Sequence, residues 1–442
     1  MIFQGGYMSG VKFALNVLSL CVLVSSTKSF GQSVESTVKA IRMANSITGG
    51  LMPTNDPLFA QMKTKIEAGD VMGAAQVATS SNYFAKYLAR RLAFKMQNVA
   101  GDAQAVRDSD ATAFIVAKFV GAAGAKPSIS TLFSENATYQ VLVNGTATPA
   151  AALTPAQLDA VDWTNQMTRI DGQQAFDGVA AAAVKAPIPP KHVGGFFTLS
   201  DRVGDTSFIS SAAAGGTNLR VIEGIWQITT GLSLLDVGSS TAMVQDVPKF
   251  IPQTDPNFFR GQGQAACMSC HGGGMSSMNH GYAAVADTFN FDANKGLQFI
   301  SAPTNATRKS LGSDPNQRNN VSTCNYTNNP KLPCNPDGSI ADSNQSWNVA
   351  VTWEKASVLK TMGWSGATSG AGLNELGVAI GKASIVYEYL TKRVILEVCP
   401  TGTFTSADIS KIASTVNPNL TPAGTDDFRT IVAMVATHQN CM

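Results

Sequence analysis

The chain is short of charge and of histidine: charged side chains make up 14% of its 442 residues, and there are four histidines. With 44% hydrophobic residues alongside, so little charge excludes a disordered chain and leaves a globular one with room for two or three cores. Long Lys/Arg runs are missing, and the formal charge is only +2. That excludes the electrostatic footprint of a nucleic-acid or anionic-membrane binder. No Ser/His/Asp constellation, phosphate-binding glycine loop or zinc-protease motif occurs. No apolar run approaches the roughly 20 residues that a permanent membrane span needs.

What is present begins with a leader. An apolar run at residues 13–24 follows Lys12 and gives way to Ser29-Phe30-Gly31. This is the pattern of a secretory signal peptide over residues 1–31, removed before Gln32. Met8, nearer the basic residue, is an alternative start. Removal takes Lys12 and Lys28 and no acid, so the remaining cations and acids balance at 30 each. Six cysteines remain, at 267, 270, 324, 334, 399 and 441. An even number in an exported chain permits disulfides, with 324–334 and 399–441 the expected pairs and other pairings open. The expected location is the periplasm, the cell surface or the medium, with no integral membrane segment after cleavage.

Cysteine and histidine meet at Cys267-Met268-Ser269-Cys270-His271, the c-type haem attachment pattern. Two thiols one helical turn apart suit thioether bonds to the two vinyl groups of a porphyrin, and the next imidazole suits the proximal side of the iron. A zinc site would need a second ligand pair at similar spacing, and no second CxxC exists. A thioredoxin-type pair would need a preceding strand. The cofactor expected is therefore one haem c. For the iron's other face Met275, Met278 and His280 are all candidates, and Gly272, Gly273 and Gly274 permit the bend that would bring one of them round. An open sixth position is the fourth possibility. His192 reads as a loop residue after Pro187–Pro190, and His438 as a core residue at the end of a helix.

The rest reads as mainly α: multi-helix domains flank a cytochrome c-like haem segment and a long loop-rich insertion. The expected divisions are an N-terminal helical domain at 32–190, a helical linker with the haem segment at 191–301, a loop-rich part at 302–365 and a C-terminal helical bundle at 366–442. From residue 34 to 186 the pattern is helical with polar breaks. Ser81 caps a helix with Phe84, Tyr87, Leu88 and Leu92 on one side and Arg90, Arg91 and Lys95 toward water. Ser109 caps a second, and Thr154-Pro155 opens a third that turns Leu158, Val161 and Met167 inward. A further helix ends near Gly231. Three helices are expected after Asn374, the last with Thr425 at its cap and two acids in its first turn.

Several stretches, "STLFSENATYQVLVN", "GGFFTLSDR", "GTNLRVIEGIWQ", "CMSCHGGGMSSMNHGYAAVADTFNFD" and "TMGWSGATSGAGLNELGVAIGKASIVYEYLTKRVILEVC" with "DDFRTIVAMVA", resemble secreted multi-domain cytochrome-c-like proteins of planctomycete and myxobacterial type. The likeness covers most of residues 80–440. Met278-Asn279 and Phe289-Asn290-Phe291 stand where that family has Met-Asp and an aromatic run, with Asn279 in place of the acid. The resemblance implies a helical exported haem protein, with Asn218 and Arg220 facing the cofactor and Arg220 beside a propionate. The expected function is electron transfer between redox partner proteins. A haem peroxidase or oxidase with a labile sixth position is the alternative, and so is a surface binding module with the haem as sensor.

Overall fold

A computed structural model describes residues 34–97, 109–177, 185–199, 228–231, 289–292, 296–299, 346–348, 369–421 and 424–441. The described part is mainly α. Helix α1 spans 34–48. It is followed by α2 (Pro57–Glu67), α3 (Val71–Thr79), α4 (Asn82–Phe84), a π-helical turn (Ala85–Ala89), α5 (Arg90–Gln97), α6 (Asp110–Val120) and α7 (Pro155–Ala160). The C-terminal part holds α8 (Gly372–Lys382), α9 (Ser384–Val398), α10 (Ser406–Val416) and α11 (Phe428–Ala436).

Helix starts follow local chemistry. The hydroxyl of Ser81 accepts from the Phe84 amide, and Ser109 with Thr112 and Thr154 with Gln157 each form a capping box. Such a cap contributes about 1 kcal/mol by satisfying amides that the first turn leaves unpaired. Helix α6 runs from Ser109 to Gly121, which ends it in the left-handed conformation at φ 75°. Every residue of α6 is buried, so it is the axis of the core rather than an amphipathic wall.

The strands depart from the helical reading of residues 34–186. β1 (Ala137–Val143), β2 (Thr146–Thr148) and β3 (Met167–Asp171) form an antiparallel sheet in the order β2-β1-β3. Alternation decides it: Ala137, Tyr139 and Val141 point inward and are fully buried. Asn144 (φ 50°) and Gly145 (φ 79°) make the tight turn to β2, an Asn-Gly signal for a hairpin. The third helix is accordingly short, and Met167 is buried from β3 instead. A second sheet, β5-β4-β7-β6, is built from β4 (Gln174–Asp177), β5 (Lys185–Pro187), β6 (Phe289–Asp292) and β7 (Gly296–Phe299). β8 (Ser346–Asn348) pairs with β9 (Ser369–Ala371).

The C-terminal helices do not stand apart. They share one hydrophobic core with α1–α7. Phe428 of α11 stacks on Phe119 of α6 with ring centroids 3.7 Å apart, and Phe84 lies beyond at 6.5 Å. The expected first helix of this part is two: Ala383 is extended (φ −70°, ψ 131°) and separates α8 from α9. The last helix begins later than Thr425. Asp427 is its cap, accepting from the Arg429 amide, while Asp426 takes a left-handed conformation (φ 53°) and turns its carboxylate elsewhere. Cys399 and Cys441 are bridged as expected, with Cα atoms 5.5 Å apart. Closing that 42-residue separation is worth about 4 kcal/mol in the chain-entropy account.

One contact sets how closely α8 can approach. A Cβ added to Gly377 would overlap the carbonyl oxygen of Phe133, and one on Gly381, a turn later, that of Ser130. Both carbonyls belong to the 3-10 turn Ser130–Phe133. Helix propensity alone predicts that Gly377→Ala stabilises the protein by about 1 kcal/mol. The packing reverses the sign: urea denaturation of Gly377→Ala should show a loss of at least about 2 kcal/mol.

Candidate functional site

Cys267, Cys270, His271, Met275, Met278, His280 and Arg220 all lie outside the described residues, as do Cys324 and Cys334. What the structure does give is the set of described segments that lie before, within and after that stretch of sequence. Before it comes a 3-10 turn, Gly195–Thr198. Residues 228–230 are helical, with Ile228 in the core and Gly231 following, and the next described element is β6. Phe289-Asn290-Phe291 therefore lies on a strand, in antiparallel register with Phe299, Gln298 and Leu297 of β7.

The first segment is held by polar side chains. Gln173 is 1% exposed, and its Nε2 donates to the carbonyls of Gly195 (2.9 Å) and Ala137 (3.0 Å). Its Oε1 accepts from the Thr198 hydroxyl at 2.6 Å, and that hydroxyl in turn accepts from the Gly194 amide. Asn374 on α8 donates to the carbonyls of Ser134 (2.6 Å) and Val193 (3.1 Å). Phe133 packs against Phe196 and Phe197 with centroids 5.9 and 5.5 Å away. The second segment is Ile228, Thr229 and Thr230, all buried, and Gly231 at φ 71°. A side chain at Gly231 would overlap the ring of Tyr389 on α9. At the third, β4 and β7 pair in parallel, Phe176 with Gln298 and Asp177 with Phe299.

Two half-buried carboxylates stabilise this frame. Asp426 accepts from the hydroxyls of Ser128 (2.6 Å), Ser130 (2.6 Å) and Tyr387 (2.8 Å), and from the Ser130 amide (3.0 Å). Burial, with the Asp426 charge beside it, pushes the Tyr387 hydroxyl far above its ordinary range. Glu135 faces Lys118 of α6, which is 4% exposed, with Oε2 2.8 Å from Nζ. Its Oε1 accepts from Arg169 Nε and from the Tyr139 hydroxyl, both at 3.0 Å. Burial pushes the Glu135 carboxyl up, but Lys118, Arg169 and Tyr139 together outweigh it and hold it below the usual carboxylate value. These groups bind one another, and their hydrogen bonds close on themselves. They serve position rather than chemistry.

Of the histidines, His192 is buried in a 3-10 turn, Pro190–His192, rather than placed in an open loop. His438 follows α11 and is half-buried against the ring of Phe404, 4.4 Å away, with Asp408 at 3.7 Å. Among the described residues no three His, Cys, Asp or Glu side chains gather as a metal site. No described helix is long and apolar enough to cross a membrane. No family model, curated protein or solved structure matches the chain.

Gln173, Asn374, Glu135 and Asp426 were not singled out by sequence pattern. Only the doubled acid Asp426-Asp427 carries a signal, since one helix start uses one cap. For Glu135 the linkage has a definite sign. Its folded-state pKa is depressed, so its contribution is present above its ordinary value of 4.5 and is lost as pH falls through the lower folded value. Glu135→Gln should lower stability at pH 7 and flatten the loss of stability below about pH 4.5, read by urea titration across that range.

Proposed function

We propose that the protein is an exported monohaem c-type cytochrome that relays single electrons between redox partner proteins. The observation that carries this reading is the contiguous donor set Cys267-Met268-Ser269-Cys270-His271 behind a secretory leader. The Cys399–Cys441 bridge supports an oxidising compartment. The haem, when bound, supplies a one-electron iron couple. Cys267 and Cys270 would tether it, so that it would not be lost to a dilute compartment, and His271 would hold the iron. A thioether from Met278 or Met275 on the distal side would raise the potential, while His280 would lower it. Arg220 is suited to neutralising a propionate through forked hydrogen bonds. With one CxxCH in the chain, one haem per polypeptide follows.

The reading is tested in a host equipped for cytochrome maturation. A pyridine haemochrome spectrum should report one c-type haem per chain, and Cys267→Ala or Cys270→Ala should lose covalent haem staining. Colourless protein, or staining unchanged in both variants, contradicts it. The ferric visible spectrum then separates the two haem functions: a low-spin His/Met signature fits the electron carrier, and a high-spin one fits an enzyme with an open sixth position.

A further inference from the structure

We infer that the face where α5 meets α9 docks an acidic protein surface with an apolar centre. Leu396 on α9 is 69% exposed, the highest value among the large apolar side chains that reach solvent in the described residues. A lone exposed leucine is ordinary; what surrounds this one is not. Lys392 and Arg393 precede it by one turn on the same helix, and Glu397 follows it directly. The Glu397 carboxylate is 5% exposed, and it holds Arg91 Nε at 2.6 Å and Lys95 Nζ as ion-pair partners. Arg91 and Lys95 themselves remain 51% and 43% exposed. The acid thus lies beneath and the cations face outward.

Arg393 is braced as firmly. Its guanidinium lies 4.8 Å over the Tyr389 ring, its Nε donates to the Tyr389 hydroxyl at 2.8 Å, and its Nη1 reaches the Lys95 carbonyl at 3.4 Å. Four cations from two helices therefore lie on this face, Lys392 and Arg393 a turn before Leu396 and Arg91 and Lys95 on the adjacent Glu397, with that one carboxylate among them. Behind its leader the chain as a whole is charge-balanced, so the excess is local. Cations already fixed by Glu397 and Tyr389 lose less side-chain freedom when a partner binds than a comb of free lysines would. An apolar centre with arginines at its edge is the anatomy of a protein interface, and its complement is a ring of carboxylates around an apolar or aromatic side chain. The overall neutrality and the single exposed leucine argue against nucleic acid and membrane.

The face lies on described helices, and its docking does not require haem. Failure of the test below is therefore distinct from failure of the cytochrome reading. Full-length protein is titrated at low salt with a glutamate–tyrosine copolymer and with poly-L-glutamate, and binding is followed by calorimetry. The copolymer should bind the more tightly of the two. Lys392→Glu with Arg91→Gln should weaken both about tenfold or more, and Leu396→Asn should remove only the preference for the copolymer. Lys392→Glu alone, at an exposed position outside the Glu397 pairs, guards against loss of folding. Lys39→Gln with Lys63→Gln, on α1 and α2, should change nothing. Unchanged binding in the α9 variants, an equal loss in the α1/α2 control, or duplex DNA or anionic phosphatidylglycerol vesicles binding as tightly as the copolymer would overturn the assignment.

Discussion

A helix buried on every side has to be walled from every side, and α6 imposes that requirement on the rest of the chain. The residues near it in sequence supply α5, the π-helical turn and β1, which cover only part of its circumference. The remainder is closed by the 3-10 turn Gly195–Thr198 and by α11, some 300 residues later, through Phe428 against Phe119. Because α6 also carries Lys118 into the interior, an acid must follow it there. Glu135 does so from the start of β1, and Arg169 and Tyr139 fill its remaining lone pairs. A buried charge that lost its partner would cost several kcal/mol, so the cluster fixes the register of β1 against α6 as well as neutralising the lysine.

Helices α1–α7 and α8–α11 share one core, and Phe196, Phe197, Leu199 and Ile228 reach it as well. Gln173 and Asn374 clamp residues 193–198, Gly231 lies against Tyr389, and β6 and β7 pair with each other beside β4. The basic face proposed for docking lies on the same core, beside the α9 residues that meet Gly231.

Helix starts were legible where a single side chain has a single role. Ser81, Ser109 and Thr154 cap as their spacing implies, and Cys399 and Cys441 meet as the helix ends imply. The sheet was less so, although "ATYQVLVNGT" holds both period-2 burial and an Asn-Gly turn, because its alanine-rich surroundings favour a helical reading. Arg91 and Lys95 do face water as expected, 51% and 43% exposed, while pairing with Glu397; Arg90 instead is 13% exposed and meets Asp159 at 2.7 Å. Partners 69 to more than 300 residues away leave no local trace. The same holds for Asp426, whose four donors come from two other segments, and for Gly377 and Gly381. Their spacing marks a close approach without naming the neighbour. The Cys267-Met268-Ser269-Cys270-His271 motif stands out in the sequence for the opposite reason, being contiguous.

The claim that both ends of the chain build one cooperative core is tested most directly by native-state hydrogen exchange of the full-length protein across a urea series. Amides in α6, such as Phe119, and in α11, such as Val432, should converge on one opening free energy with one urea dependence. A separate, lower-energy opening of residues 372–441 while α6 stays protected would contradict it.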